Sequence, residues 1–201
     1  MLFSFQFIFS KWYQLSTRNI LESAIWMNIF NAIWHIVLFV PGNNFSVRIT
    51  FISGTYAILY SFFAIGGGVA GFFAMKYGKL SVRTLFLLTG GLVIPVIYGV
   101  VFLGENLTSQ KGLGILFVLL SFLPYTLLKK EAAYTQQPNK KSKFPVSLLY
   151  LIIFIGNGMV SVITKAQSIN PHATDNTDFL ASTALLRLVL GIMIIIFLNM
   201  R

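Results

Sequence analysis

An all-α, polytopic membrane helix bundle is the fold class this sequence predicts, on three observations. Hydrophobic residues fill 56% of the 201 positions and charged residues 10%, whereas soluble domains carry about a quarter charged. Several apolar segments approach the ~20 residues a helix needs to cross hydrocarbon, and short polar turns join them. The one long polar stretch, KKEAAYTQQPNKKSKF over 129–144, is a lysine-rich linker rather than a domain. A formal charge of +10 therefore has no polar domain on which to build a nucleic-acid face, and it marks loops beside anionic lipid. No cysteine is present, so disulfides, thiolate nucleophiles and cysteine metal sites are excluded.

The chain divides as follows. Residues 1–13 read as a partial first helix, with no basic leader or small-residue cleavage site to suggest a signal peptide. A second helix over about 23–40 ends at the turn signal Pro41-Gly42-Asn43-Asn44. A third, about 51–75, carries Gly67 and Gly71 four apart on one face, a spacing that permits close helix contact. After the loop 76–83, segments 85–104 and 112–128 form a membrane hairpin around the polar turn Glu105–Lys111. The first of these carries Gly90, Gly91, Pro95 and Gly99, which favour a closely packed, locally kinked membrane helix. Helices over about 145–164 and 179–199 follow the linker; Pro145 suits a first-turn position.

The order Pro95, Gly99, then Phe102-Leu103-Gly104-Glu105-Asn106-Leu107-Thr108 with Gln110 resembles the drug/metabolite transporter superfamily in its EamA-type ten-helix branch. A weak internal match supports it: Ser10-Lys11 and Thr164-Lys165 each close a helix before a polar loop and another helix. The resemblance implies five helices followed by five in inverted orientation. On that plan residues 1–128 form the first repeat, 129–144 the linker and 145–201 an incomplete second repeat of two helices, so a longer chain is expected. It also implies cytoplasmic termini, which would put the linker outside. The excess of Lys and Arg after odd-numbered helices puts the linker in the cytoplasm instead.

Ionisable residues narrow the chemistry. All five acids, Glu22, Glu105, Glu131, Asp175 and Asp178, fall in loops or at helix ends. That weakens a cationic-drug exporter, which needs a buried acid to alternate between proton and cation. Arg187 alone lies well inside an apolar segment, where an unpaired charge costs at least a few kcal/mol. It either lines a polar cavity that attracts an anionic or strongly polar solute, or makes a structural pair. Lys11 and Lys165 close two helices, where cations meet the helix dipole, and are also candidates for contact near the cavity mouths. Gln6 and Asn157 are mid-segment amides, suited to substrate contact or to interhelical hydrogen bonds. Asn28, Asn31 and His35 share one polar helix face. His35 lacks a second ligand one turn away and is not a metal residue. Tyr56 and Tyr60 face together, as pocket or packing aromatics. Gly67, Gly71, Gly91, Pro95, Gly99 and Glu105 have structural roles.

No enzyme signature appears, and no cofactor is expected. The leading expectation is a secondary transporter of a small polar or anionic metabolite in the plasma membrane, moving solute between two inverted halves. Its partners would be membrane lipid, the solute and a coupling ion or exchanged solute, with no nucleic acid and an open oligomeric state. The alternatives are a non-transporting scaffold that uses the basic linker, and a cationic drug exporter or lipid-linked sugar flippase of the same superfamily.

Overall fold

Every regular element among the described residues is a helix, and the chain forms an all-α polytopic bundle. The structure, a computed structural model, describes residues 2–16, 19–42, 45–121 and 145–200, without the side chains of residues 2–7 and Leu119. The elements are α1 (Leu2–Ser16), α2 (Ile20–Gly42), α3 (Phe51–Tyr77), α4 (Leu80–Leu103), α5 (Ser109–Leu120), α6 (Val146–Ser168) and α7 (Asn176–Asn199). Five of them, α2, α3, α4, α6 and α7, are long and apolar enough to cross a membrane. The expected linker 129–144, and residues 122–128 of the expected fifth helix, lie outside the described residues.

The expected helix at 85 begins at Leu80, so Arg83 belongs to the first turn of α4 and not to a loop. Lys79 closes the preceding connection as N-cap residue, its backbone N–H held by the Tyr150 hydroxyl at 3.0 Å. The first helix also runs further than expected, to Ser16, and the second starts earlier, at Ile20. Thr50 caps α3 by accepting from the Ser53 N–H at 3.3 Å, the side-chain cap that a helix start favours. Pro145 stands just before α6 as its N-cap rather than within its first turn.

The bundle has the residue distribution of a protein dissolved in lipid. Large apolar side chains such as Phe62 and Phe102 point outward, at 71% and 74% exposure. Ser53, Ser61, Thr183 and Gln167 are buried completely. With lipid outside, apolar burial gains little, and small or hydrogen-bonding residues are what let helices meet. Thus α6 lies against both α3 and α4, while α7 lies against α2 and α3. At the α3–α6 crossing the backbones of Gly67 and Gly156 touch. At α4–α6, Gly90 sits on the Phe154 carbonyl, and Ile94 fills the space opposite Gly158. α4 runs through Pro95 without a break, although the ring removes one N–H from the helix ladder.

Contacts between helix ends, Lys11 with Met75 and Lys79 with Tyr150 on one side and Glu105 with Lys165 and Thr50 with His172 on the other, give the bundle two faces. One holds the α1–α2 and α3–α4 connections and the start of α6, where Tyr150 meets Lys79; we call it the linker face. The other holds the α2–α3, α4–α5 and α6–α7 connections; we call it the Glu105 face.

Candidate functional site

Three polar features lie along the bundle axis. The first is a cavity of about 80 Å³ toward the linker face, bounded by Ser10 of α1, Asn28 and Asn31 of α2, Gly68 and Met75 of α3, and Arg83 of α4. Two glycines of α3 make it. A Cβ at Gly68 would lie 2.8 Å from both polar atoms of the Asn28 amide, and one at Gly71 would lie 3.0 Å from Nε and Nη2 of Arg83. Amide and guanidinium thus rest on neighbouring bare positions of one helix face. Asn28 and Asn31 each donate from Nδ2 to the carbonyl one turn back, Ala24 and Met27, both at 2.9 Å. Each amide retains a second N–H beyond that bond. Beside the cavity wall, the Lys11 ammonium donates to the Met75 carbonyl and, at 3.0 Å, to the Gln14 side chain.

The second feature lies deeper. Arg187 is about 16 Å along α7 from Asn176 at ~1.5 Å per residue, close to half of the ~30 Å hydrocarbon thickness. It is buried, at 6% exposure. Its Nη2 donates to His35 Nδ1 at 2.7 Å, its Nε reaches the Thr183 carbonyl at 3.4 Å, and its guanidinium stands 5.6 Å from the Tyr60 ring centre. Because a guanidinium can only donate, Nδ1 must accept, and the ring proton of His35 rests on Nε2. Asn28, Asn31 and His35 then form one inward stripe of α2 that leads from the cavity to Arg187, rising about 10 Å.

The third feature closes the Glu105 face. Gly104 ends α4 in the left-handed conformation, φ 64°, and the Glu105 N–H returns to the Gly99 carbonyl at 3.0 Å. This carries the Glu105 carboxylate back over Gly99, where a Cβ would meet both that carboxylate and the Lys165 ammonium at 2.7 Å. Lys165 pairs with Oε1 at 2.5 Å, and Lys111 approaches Oε2 at 3.4 Å. The hydrogen bond from Lys165, helped by the charges of both lysines, holds the Glu105 carboxyl below the usual carboxylate range. Nearby, buried Ser53 receives the Thr174 N–H at 2.8 Å and its hydroxyl at 3.0 Å, while Gln167 donates to the Thr174 carbonyl at 2.6 Å. Asp178 accepts from the Arg48 N–H at 3.3 Å. Together these contacts bind the α2–α3 and α6–α7 connections.

The expected site residues therefore separate. Arg187 and Tyr60 come together, and Asn31 lines the cavity. Tyr56 shares with Tyr60 the cluster around Ala57, Ile163 and Phe179, a packing position. Asn157 belongs to the α4–α6 seam: it donates to the Leu87 carbonyl at 2.7 Å across Gly91, which leaves room for its amide. Lys165 is held in the Glu105 pair, and Lys11 ties α1 to α3. The side chain of Gln6 is outside those described. Glu105 stands over Gly99 in its pair with Lys165. Gly67 makes the expected close helix contact, whereas Gly71 faces a side chain of α4. Arg83, Ser10 and Gly68 line the cavity without being among the expected site residues. An α4 starting directly after Tyr77-Gly78 would have brought Arg83 into the bundle, and Gly68 stands three residues before Gly71, on the same face.

The chain matches no family model, no curated protein and no solved structure. Its class, an all-helical multi-pass membrane bundle, rests on the five apolar helices and the outward apolar surface.

Proposed function

We propose that the protein is a secondary transporter of a small polar or anionic metabolite, of the EamA-type drug/metabolite class and resident in the plasma membrane. The observation that carries this reading is Arg187, a cation at mid-span that meets His35 and Tyr60 from two other helices. A charge at that depth is costly unless it is paired or faces a polar path, and its described neighbours carry no opposite charge. The α2 stripe from His35 to Asn28 supplies such a path, ending in a cavity beside a second arginine. Acids within the described spanning helices are confined to first turns, at Glu22 and Asp178. The interior potential is therefore positive, which selects anions over cations.

Transport on this reading is alternating access. Solute enters from the linker face, passes along the stripe to Arg187 and leaves when the contacts of the Glu105 face part. The Lys and Arg bias assigns the linker face to the cytoplasm. The helices perform no chemical step and use no nucleotide.

The test is uptake or counterflow of a panel of labelled carboxylates, phosphate esters and neutral solutes into liposomes that contain the purified full chain. At least one anion should accumulate above protein-free vesicles. Arg187→Ala should lower that rate at least tenfold, with insertion and monodispersity retained. Transport of no solute, or anion transport untouched by Arg187→Ala, would overturn the reading.

A further inference from the structure

We infer that the cavity on the linker face is an oxyanion-binding site, built to take a carboxylate or phosphate group on Arg83 with Asn28 and Asn31 as neutral donors. Size limits what the cavity can hold. About 80 Å³ is room for a few waters and lies far below the ~300 Å³ at which drug-sized pockets begin. A head group of a few heavy atoms fits; a whole drug molecule does not. The polar lining sets the sign. Arg83 is fully charged at any physiological pH, and its planar fork matches the two oxygens of a carboxylate or phosphate. Lys11 stands on the Met75 edge of the wall and adds a second positive charge. No carboxylate is among the lining residues, so the described walls present no negative charge to repel a bound anion.

The construction of the walls is independent support. Asn28 and Arg83 come from different helices, and each lies over a glycine of α3, with Gly68 and Gly71 one turn apart. An alanine at either position would push its partner out of place. The amide N–H groups left over after the bonds to Ala24 and Met27 provide uncharged donors of the kind that fix an oxyanion's orientation once a guanidinium has fixed its charge. Ala24, Met27 and Phe72 complete the lining and keep the cavity narrow. The site lies at the bottom of the α2 stripe that leads to Arg187. It thus rests on the transport reading for its role as a first station, though binding itself can be measured without transport. The same chemistry would suit a free anion or the phosphate of an anionic lipid.

The experiment uses the full chain in phosphatidylcholine nanodiscs and reads thermal unfolding against added inorganic phosphate or acetate, with chloride at matched ionic strength as control. Wild type should show a saturable rise in unfolding temperature with at least one oxyanion and none with chloride. Arg83→Gln should weaken apparent affinity at least tenfold, Gly71→Ala should do the same by displacing the guanidinium, and Asn28→Ala should weaken it several-fold. Gly112→Ala, in α5 away from the cavity, should leave it unchanged. A parallel series in nanodiscs that contain phosphatidic acid separates the sources. If that lipid alone gives the Arg83-dependent rise and abolishes the response to free phosphate, the site stands with a lipid head group as occupant. If no oxyanion, free or lipid-borne, produces a saturable shift, or if the shift survives unchanged in Arg83→Gln, the site falls. That result would leave the uptake test of Arg187 untouched, whereas binding without any uptake would remove the transport reading and keep the site.

Discussion

Glu105 shows how one residue's position follows from its neighbours. Gly104 can take a positive φ, so the chain reverses at the end of α4 and the next side chain points back across the helix end. Gly99 has no side chain there, and Lys165 and Lys111 converge on the carboxylate from α6 and α5. Because Lys165 holds the folded-state pKa below the ordinary value, the pair stabilises the fold fully above about pH 4.3. That contribution disappears as pH falls through the lower, folded value. The unfolding temperature of wild type should therefore drop more steeply than that of Glu105→Gln on acidification from about pH 5 to pH 3, and the two curves should converge at the acid end. Parallel curves would mean that the pair does not couple α4 to α6. That Glu105 follows a glycine at a helix end was legible in the sequence, and that place restricts where it can point. Its partner Lys165 was not, since the pairing spans sixty positions of chain and depends on how α6 packs.

At the scale of helices, the contact between α4 and α6 depends on small residues and one amide. Gly90 bears directly on the Phe154 backbone, with the carbonyl carbon 2.8 Å from where a Cβ would stand. Backbone cannot move aside as a flexible side chain can, so Gly90→Ala should cost about 1–3 kcal/mol or more by overpacking. Gly112→Ala in α5 meets nothing within 4 Å and should be neutral or stabilise by up to about 1 kcal/mol. Asn157→Leu removes the bond to the Leu87 carbonyl and should cost about 0.6 kcal/mol, the average for interhelical bonds in membranes, and no more than about 1.7 kcal/mol. Unfolding in mixed micelles orders the three; a Gly90→Ala no worse than Gly112→Ala would contradict the close crossing. The glycines of 85–104 announced a close-packed helix from sequence alone. Which helix they meet was not legible, because in lipid every helix is apolar and hydrophobic periodicity no longer marks the buried face. For the same reason Asn157 read equally well as a cavity amide or a packing amide, and only its distance to Leu87 decides for packing.

Over the whole molecule, the multi-pass bundle was readable because hydrocarbon thickness imposes a length on every spanning helix. The distribution of polar groups between the two faces was not, because it depends on contacts between distant connections: Ser53 with Thr174, Thr50 with the His172 carbonyl, Arg48 with Asp178. These contacts bind the Glu105 face, while the cavity with Arg83 lies toward the linker face. Alternating access would then require the Ser53–Thr174 contact to part in each cycle. The absence of cysteine gives a clean background for testing this. With the two hydroxyl oxygens 3.0 Å apart, a Ser53→Cys/Thr174→Cys pair is placed to cross-link under oxidation. The cross-linked protein should lose at least nine-tenths of its solute flux, recover it on reduction, and keep oxyanion binding at Arg83 in both states. Each single cysteine variant should be indifferent to oxidant. Full flux through a quantitatively cross-linked protein would show that the Glu105 face is not a moving gate, and solute would have to leave the Arg187 site by another route.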